Sequence, residues 1–140
     1  MSQTVLPRNQ IAAEYTWDTA SVFADDAAWE AEIARINAAL PDLARFGGQL
    51  TSSPAVLLDW FQTSEGLMNA AQRVYFYASM FHNTNTADQD AAAKDDRASG
   101  LVARVYTAIS FAEPELLAAG IDRLRALVRD EPSLAGYAHY

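Results

Sequence analysis

The fold of this chain is decided by the stretch QRVYFYASMFHNTNT, which runs from Gln72 to Thr86. The stretch crowds aromatic and aliphatic side chains together, places one of the chain's two histidines after them, and ends in a polar tract. Taken alone, it fits a β-strand, a metal or aromatic site, or the end of a buried helix. The residues that precede it decide between these three interpretations.

Upstream of this stretch the apolar spacing is that of a helix. Ser53 offers an N-cap and Pro54 suits the first helical position, where its missing N–H is not needed. One seam then continues at alternating steps of four and three through Leu57, Phe61, Ser64, Met68, Ala71, Tyr75, Ala78 and His82. A second row repeats every seven residues at Trp60, Leu67, Val74 and Phe81. No turn residue breaks this phase, so the opening stretch is predicted to be helical.

The aromatic end of this helix is apolar on almost every side. Phe76, Tyr77 and Met80 fill the positions between the two rows. Such a pattern is typical of a helix end that lies buried between several neighbours. Tyr75 and Tyr77 lie on different faces of one helix, so the two side chains cannot line one pocket.

An earlier helix is predicted to start at Asp25 or Asp26, each a good N-cap. Pro41 should kink or restart it, and Gly47 and Gly48 should end it. Its apolar face consists of Trp29, Ile33, Ile36, Leu40 and Leu43.

A third helix is predicted to begin with a capping box formed by Thr86 and Gln89. Its apolar face consists of Ala91, Ala98, Leu101, Val102, Val105, Ile109 and Ala112. Pro114 should bend or end it, and Gly120 should close a short helix that follows. A last amphipathic turn-and-a-half carries Ile121, Leu124, Leu127 and Val128.

The sequence therefore predicts an all-α fold: a helical bundle of long antiparallel hairpins preceded by an extended N-terminal arm. Residues 1–24 show no sustained period, and we expect this arm to lay Tyr15, Trp17 and Phe23 onto something larger. The helical domain is predicted to comprise residues 25–140. The final residues LAGYAHY place Leu134, Tyr137 and Tyr140 three apart, as at the start of another amphipathic helix. We therefore expect this domain to be part of a longer chain.

Composition excludes several classes of function. The 140 residues fit one domain, and a 51% hydrophobic content favours a folded core. A net charge of −8 without a basic cluster argues against nucleic-acid binding. There is no signal-peptide pattern at the start and no apolar run of about 20 residues for a membrane span. The absence of cysteine removes thiolate chemistry and fits a reducing cytoplasm, where we expect the protein to reside.

The sequence offers few residues that could bind a metal ion or act in catalysis. The two histidines, His82 and His139, belong to neither a Glu-x-x-His nor a His-Glu-x-x-His motif. His82 is interpreted as a histidine that packs at the helix end or donates to its last carbonyls. The carboxylates Asp88, Asp90, Asp95 and Asp96 are interpreted as a solvated helix face, because a calcium loop would need a central glycine. We predict no catalytic and no metal-binding residues in this chain, and the substrate-binding residues remain unknown.

Several segments together resemble the beginning of oligoendopeptidase F, a bacterial relative of the thimet-type oligopeptidases. They are LPRNQIAAEYTWDTASVFADDAAWEAEI, FGGQL, RVYFYASMFHNTNTAD and ISFAEPELLAAG, and the resemblance extends from Leu6 to Tyr140. It implies a zinc-dependent endopeptidase that cuts short peptides in the cytoplasm. The family's zinc ligands and catalytic Glu lie in a His-Glu-x-x-His helix and a further downstream Glu, and no position of this sequence matches them.

The resemblance thus implies the non-catalytic N-terminal domain of such an enzyme, packed over the catalytic part and helping to wall the substrate channel. The implied partners are the missing catalytic domain and an oligopeptide substrate, with zinc in the full-length parent and none in this fragment. An apolar surface left uncovered would favour a homodimer. The alternative is a self-sufficient helical module that binds a protein or peptide and has no enzymatic activity. An enzyme built on His82 and nearby carboxylates is a third interpretation.

Overall fold

The computed structural model of the protein describes Leu6 and residues 10–139. Within these residues the five α-helices are α1 (Asp26–Ala39), α2 (Pro54–Thr84), α3 (Gln89–Ile109), α4 (Ala112–Ala119) and α5 (Ile121–Asp130). Short 3-10 segments occupy Ala13–Tyr15, Thr19–Ser21, Leu40–Phe46 and Pro132–Tyr137. This part of the chain contains no strand, and the predicted all-α fold is confirmed.

The longest helix, α2, organises the bundle. The Ser53 hydroxyl accepts a hydrogen bond from the Val56 N–H at 3.3 Å, and Pro54 occupies the first helical position, as predicted. The helix continues without interruption through the aromatic stretch to Thr84, so the helical interpretation of that stretch is correct. Its buried face is formed by Leu57, Trp60, Phe61, Ser64, Leu67, Ala70, Ala71, Val74, Tyr77, Ala78 and Ser79.

Helix α1 packs along one side of α2. The Asp25 carboxylate caps it by accepting from the Ala28 N–H at 2.8 Å. Trp29 is fully buried, and its indole N–H donates to the Val74 carbonyl of α2 at 2.9 Å. As Pro41 predicts, the α-helix stops before it and continues as the 3-10 segment Leu40–Phe46.

The predicted cap of α3 is wrong. One Asp88 carboxylate oxygen accepts from the Asp90 and Ala91 N–H groups at 3.0 and 3.1 Å, so the helix begins two residues later than a Thr86 cap would place it. The Asn85 side chain accepts from the Ala87 N–H at 3.3 Å, which holds Thr86 inside a turn. A charged carboxylate is also a stronger acceptor than a hydroxyl.

Side chains of α4 and α5 form hydrogen bonds with the loop of residues 47–53, which precedes α2. The two carboxylate oxygens of Glu115 accept from the Gly48 and Leu50 N–H groups, each at 2.8 Å. The Arg123 guanidinium donates to the Thr51 carbonyl at 2.6 Å. Gly48 needs its glycine because it has a φ of 74°. Two distant helices therefore shape a loop that contains no regular structure of its own.

The C-terminal part differs from the prediction in two ways. Helix α5 has 10 residues rather than a turn-and-a-half. The expected amphipathic helix at the end of the chain is a 3-10 segment, in which Leu134 is buried and Tyr137 stacks on Phe61 with ring centroids 4.6 Å apart. Tyr140, the third residue of that predicted face, lies outside the described residues.

The N-terminal arm is only partly as expected. Between residues 10 and 24 it forms two short 3-10 turns with extended backbone between them. Phe23 is buried against Tyr77, at a ring-centroid distance of 5.5 Å, while Arg73 crosses the Phe23 ring and donates to the Val22 carbonyl. Tyr15 and Trp17 are 79% and 63% exposed, so the described residues bury neither of them, and their packing onto something larger stays a prediction. The domain boundary between residues 24 and 25 stays a prediction.

Ion pairs join α1 to α3. The Lys94 ammonium donates to Asp26 at 2.6 Å, and the Arg97 guanidinium donates to both Glu30 oxygens at 2.7 Å. The hydrogen bond from Lys94 lowers the pKa of Asp26, and that from Arg97 lowers the pKa of Glu30. Because both pKa values are lowered by folding, these carboxylates stabilise the folded state above their unfolded pKa values, and this contribution is lost as the pH falls through the folded ones.

The cap of α3 can be tested with a pair of substitutions. Asp88→Ala should lower the free energy of unfolding by about 1 kcal/mol, because two N–H groups lose their acceptor. Thr86→Ala, its matched control, should change this free energy by less than about 0.5 kcal/mol. Urea denaturation of both variants measures the difference. A larger loss for Thr86→Ala would return the cap to Thr86.

Glu115→Ala should lower the free energy of unfolding by about 1–3 kcal/mol, because the half-buried loop loses the acceptor of two backbone N–H groups. Glu113→Ala changes an exposed residue of the same helix and should cost less than about 0.5 kcal/mol. Denaturant titration provides the comparison. Equal losses would show that the α4 contact does not hold the loop.

The ion pairs predict a pH-dependent stability. Glu30→Gln should lower the free energy of unfolding at neutral pH by about 0.5 kcal/mol, since the pair is half exposed. As the pH falls from neutral through the lowered pKa of Glu30, the unsubstituted carboxylate becomes protonated, so the difference in stability between the two proteins should disappear. Thermal melts across this pH range measure the difference. A difference that persists in acid would mean that the pair acts through packing.

Candidate functional site

His82 lies in the last turn of α2 and is partly buried. Its Nδ1 atom is shielded from water and has no hydrogen-bond partner. The last carbonyls of the helix, those of Phe81 and His82, accept instead from the Asn85 backbone N–H at 3.2 Å. The predicted donation from the imidazole to these carbonyls is therefore wrong. Among the described residues, none accepts or donates a hydrogen bond at Nδ1 that would orient the ring for proton transfer.

The two histidines are far apart in the fold. His139 follows the 3-10 segment whose Tyr137 stacks on Phe61, and Phe61 precedes His82 by about 30 Å along α2. In residues 10–139 no three histidine, aspartate or glutamate side chains come together as metal ligands. This part of the chain therefore does not fit a zinc ion. The prediction that the chain contains no catalytic residue stays a prediction.

The four aspartates do not form one solvated face. Asp88 caps α3, and Asp90 and Asp96 are exposed. Asp95 is half-buried, and its Oδ1 atom is shielded from water without a hydrogen-bond partner. The interpretation as a uniformly solvated cluster is thus wrong for Asp95.

The two tyrosines of the aromatic stretch face different neighbours, as predicted. Tyr77 faces α1, where its hydroxyl donates to Asp26 at 3.2 Å and its ring packs against Phe23, Trp29 and Phe81. Burial, followed by the charge of Asp26, raises the pKa of Tyr77. This tyrosine therefore stays neutral near pH 7 and contributes to packing. Tyr75 instead lies on the other side of α2, toward α3.

A hollow of about 390 Å³ lies between α2 and the end of α1. Arg35 and Arg45 line it, but each is paired with a carboxylate, Arg35 with Glu32 at 2.8 Å and Arg45 with Asp59 at 3.0 Å. Because the charge of both guanidinium groups is compensated, the hollow offers no free anion-binding site.

The outer side of the α2–α3 hairpin carries a second surface, the hairpin face, defined by Tyr75, Phe76, Ser99, Val102 and Tyr106. Tyr75, Ser99 and Val102 line a hollow of about 240 Å³. Phe76 and Tyr106 are each 54% exposed, and the rings of Tyr75 and Phe76 are 6.0 Å apart. Within the described residues the aromatic helix end is thus left open at Phe76, and its burial between several neighbours stays a prediction.

Sequence reasoning noted Val102 but missed Ser99 and Tyr106. The signal was available in the spacing of Asp95, Ser99, Val102 and Tyr106, which repeats at steps of four, three and four and so marks one ridge of α3. The buried face of the same helix contains Ala98, Leu101 and Val105 and has the more regular apolar spacing. The ridge is harder to recognise because it also contains the polar residues Asp95 and Ser99.

Among the described helices we find none that combines the length and the hydropathy of a membrane span. No protein-family model matches the chain.

Curated relatives match nearly all of the chain. It is 31% identical over 133 residues to the Group B oligopeptidase PepB of Streptococcus agalactiae, and 26% identical over 132 residues to the oligopeptidase PepF of Bacillus subtilis. These matches include 95% and 94% of this chain but only 22% and 20% of the two relatives. The chain thus spans about one fifth of the length of the peptidases it resembles.

A solved structure agrees with the sequence matches. The crystal structure of oligoendopeptidase-F from Enterococcus faecium superimposes with a TM-score of 0.75 at 25% identity, over 83% of this chain and 23% of that one. Sequence and fold therefore point to the same group of proteins. The resemblance predicted from the sequence is confirmed: this chain is homologous, over almost all of its length, to a helical domain of the oligoendopeptidase F peptidases.

Proposed function

We propose that the chain is the N-terminal, non-catalytic helical domain of a zinc-dependent metalloendopeptidase that hydrolyses oligopeptides in the cytoplasm. The observation that carries this proposal is the match of 94–95% of the chain to about a fifth of relatives that are named as oligopeptidases. Because the matching part makes up only about one fifth of these relatives, the catalytic residues of the complete enzyme would lie in the remaining four fifths.

The zinc ion would be held by another part of the parent enzyme. The described residues bring no three ligands together, so they would neither bind the metal nor activate water. The role that fits them is mechanical: a rigid wall of long helices that narrows access to the catalytic part and admits short peptides while excluding folded proteins. The catalytic part of the same polypeptide and an oligopeptide substrate are the proposed partners.

The second candidate is a self-sufficient helical module that binds a protein or peptide. The exposed aromatic rings of Phe76 and Tyr106 favour it, because a large exposed apolar patch marks an interaction site. If the chain is such a module, the same patch would join two copies of it as a homodimer.

The test compares the 140-residue chain with the complete product of its gene. The complete protein should cleave a fluorogenic oligopeptide and leave a folded protein intact, whereas the 140-residue chain should cleave neither. A chelator should abolish the cleavage and zinc should restore it. A reading frame that stops at Tyr140, together with an inactive product, would favour the interaction module instead.

A further inference from the structure

The hairpin face and the residues beside it combine exposed aromatic rings, a hollow and polar atoms without partners. It carries two exposed aromatic rings, those of Phe76 and Tyr106, and a hollow beside Tyr75. At the end of the hairpin nearest the α2–α3 loop, the Nδ1 atom of His82 and the Oδ1 atom of Asp95 are shielded from water without a partner. A buried polar atom without a hydrogen-bond partner destabilises the fold, so two of them at one end of the hairpin favour a surface that another polypeptide completes.

The two orphaned atoms belong to the ridges that border the hairpin face. Tyr75, Ser79 and His82 follow one another at steps of four and three on α2, and Asp95 shares its α3 ridge with Ser99. Both His82 and Asp95 remain partly exposed, so a polypeptide that covers the hairpin face would also contact these two side chains.

The charges of α3 are divided between its two sides. Lys94, Arg97 and Arg104 all face α1, where they donate to Asp26, Glu30 and Asn37. The opposite side of α3 carries Ser99, Val102 and Tyr106 of the hairpin face and the bordering carboxylate of Asp95, and none of these three cations. A segment that covers it should therefore be apolar and should offer a hydrogen-bond donor or a cation to Asp95.

The length of the relatives indicates the source of this segment. In the two oligopeptidases and the solved oligoendopeptidase-F, the part that matches this chain makes up only 20–23% of the polypeptide. A domain of this size inside a much longer chain has a neighbour covalently attached to it, at a high effective concentration. A second copy of this acidic chain, with a net charge of −8, would meet like charge instead.

We propose that the hairpin face is the surface on which the remaining polypeptide of the complete peptidase docks, through an apolar segment that brings a donor or cationic group to Asp95. This inference rests on the proposed function, because it requires the longer chain. It assigns the contact to the outer side of α2 and α3, and leaves the arginine-lined hollow and the outer side of α1 free.

The absence of cysteine in these 140 residues allows a direct test by thiol labelling. Tyr106→Cys places a thiol on the hairpin face, and Ala34→Cys, the matched control, places one on the exposed outer side of α1. Each is introduced into the 140-residue chain and into the complete gene product, and the rate of maleimide labelling at that position is measured by peptide mass spectrometry.

In the 140-residue chain both thiols should react at similar rates. In the complete protein the Tyr106→Cys thiol should react on the order of tenfold more slowly, because labelling must await local opening of the covered surface. The Ala34→Cys thiol should keep its rate. Equal slowing at both positions would overturn the assignment to the hairpin face.

A second variant makes the test independent of the thiol. Phe76→Ser combined with Tyr106→Ser should lower the Tm of the 140-residue chain only slightly, because both side chains are half exposed there. It should lower the Tm of the complete protein by clearly more, since these side chains would be covered there. Equal changes in the two proteins would overturn the proposal.

The outcomes also separate this inference from the proposed function. A complete protein that cleaves oligopeptides but labels the Tyr106→Cys thiol at the rate of the 140-residue chain contradicts the docking surface alone. A complete protein without peptidase activity contradicts the proposed function, whatever the labelling. Light scattering that shows the 140-residue chain as a dimer with a protected Tyr106→Cys thiol would assign the face to a second copy and overturn the proposal.

Discussion

Burial of Trp29 against the middle of α2 is the constraint on which the rest of the structure depends. Its ring is fully buried, and a buried indole must find an acceptor for its single N–H. The acceptor is the carbonyl of Val74, which is 45 residues away in sequence and is itself part of a fully buried residue. This hydrogen bond fixes where α1 lies along α2, and with it the level at which Tyr77 and Phe23 pack.

The position of α1 in turn determines the polarity of the hairpin. Once α1 lies beside α2, its carboxylates at Asp26 and Glu30 attract Lys94 and Arg97 to one side of α3. The other side is left apolar, with one carboxylate whose oxygen lacks a partner. The exposed hairpin face is thus a consequence of how the first helix docks.

The loop between α1 and α2 shows the same dependence on distant residues. Gly48 and Leu50 have backbone N–H groups that the loop itself cannot satisfy, and Glu115 supplies both acceptors from α4. Because Arg123 of α5 donates to Thr51, the C-terminal helices cover the end of the bundle at which α2 begins. The shape of this loop therefore depends on side chains that are 65 to 72 residues away in sequence.

The sequence by itself determined the helices, since apolar spacing and capping residues act over a few residues. It predicted the unbroken course of α2, the stop before Pro41 and the family resemblance. It misplaced the start of α3, because Thr86 and Asp88 both satisfy the local rules and only the turn made by Asn85 separates them. Which residues of the aromatic stretch are covered was decided by tertiary structure. Phe76 and Tyr77 are adjacent aromatic residues, yet only Tyr77 meets α1, because burial depends on the neighbour that each helix face encounters.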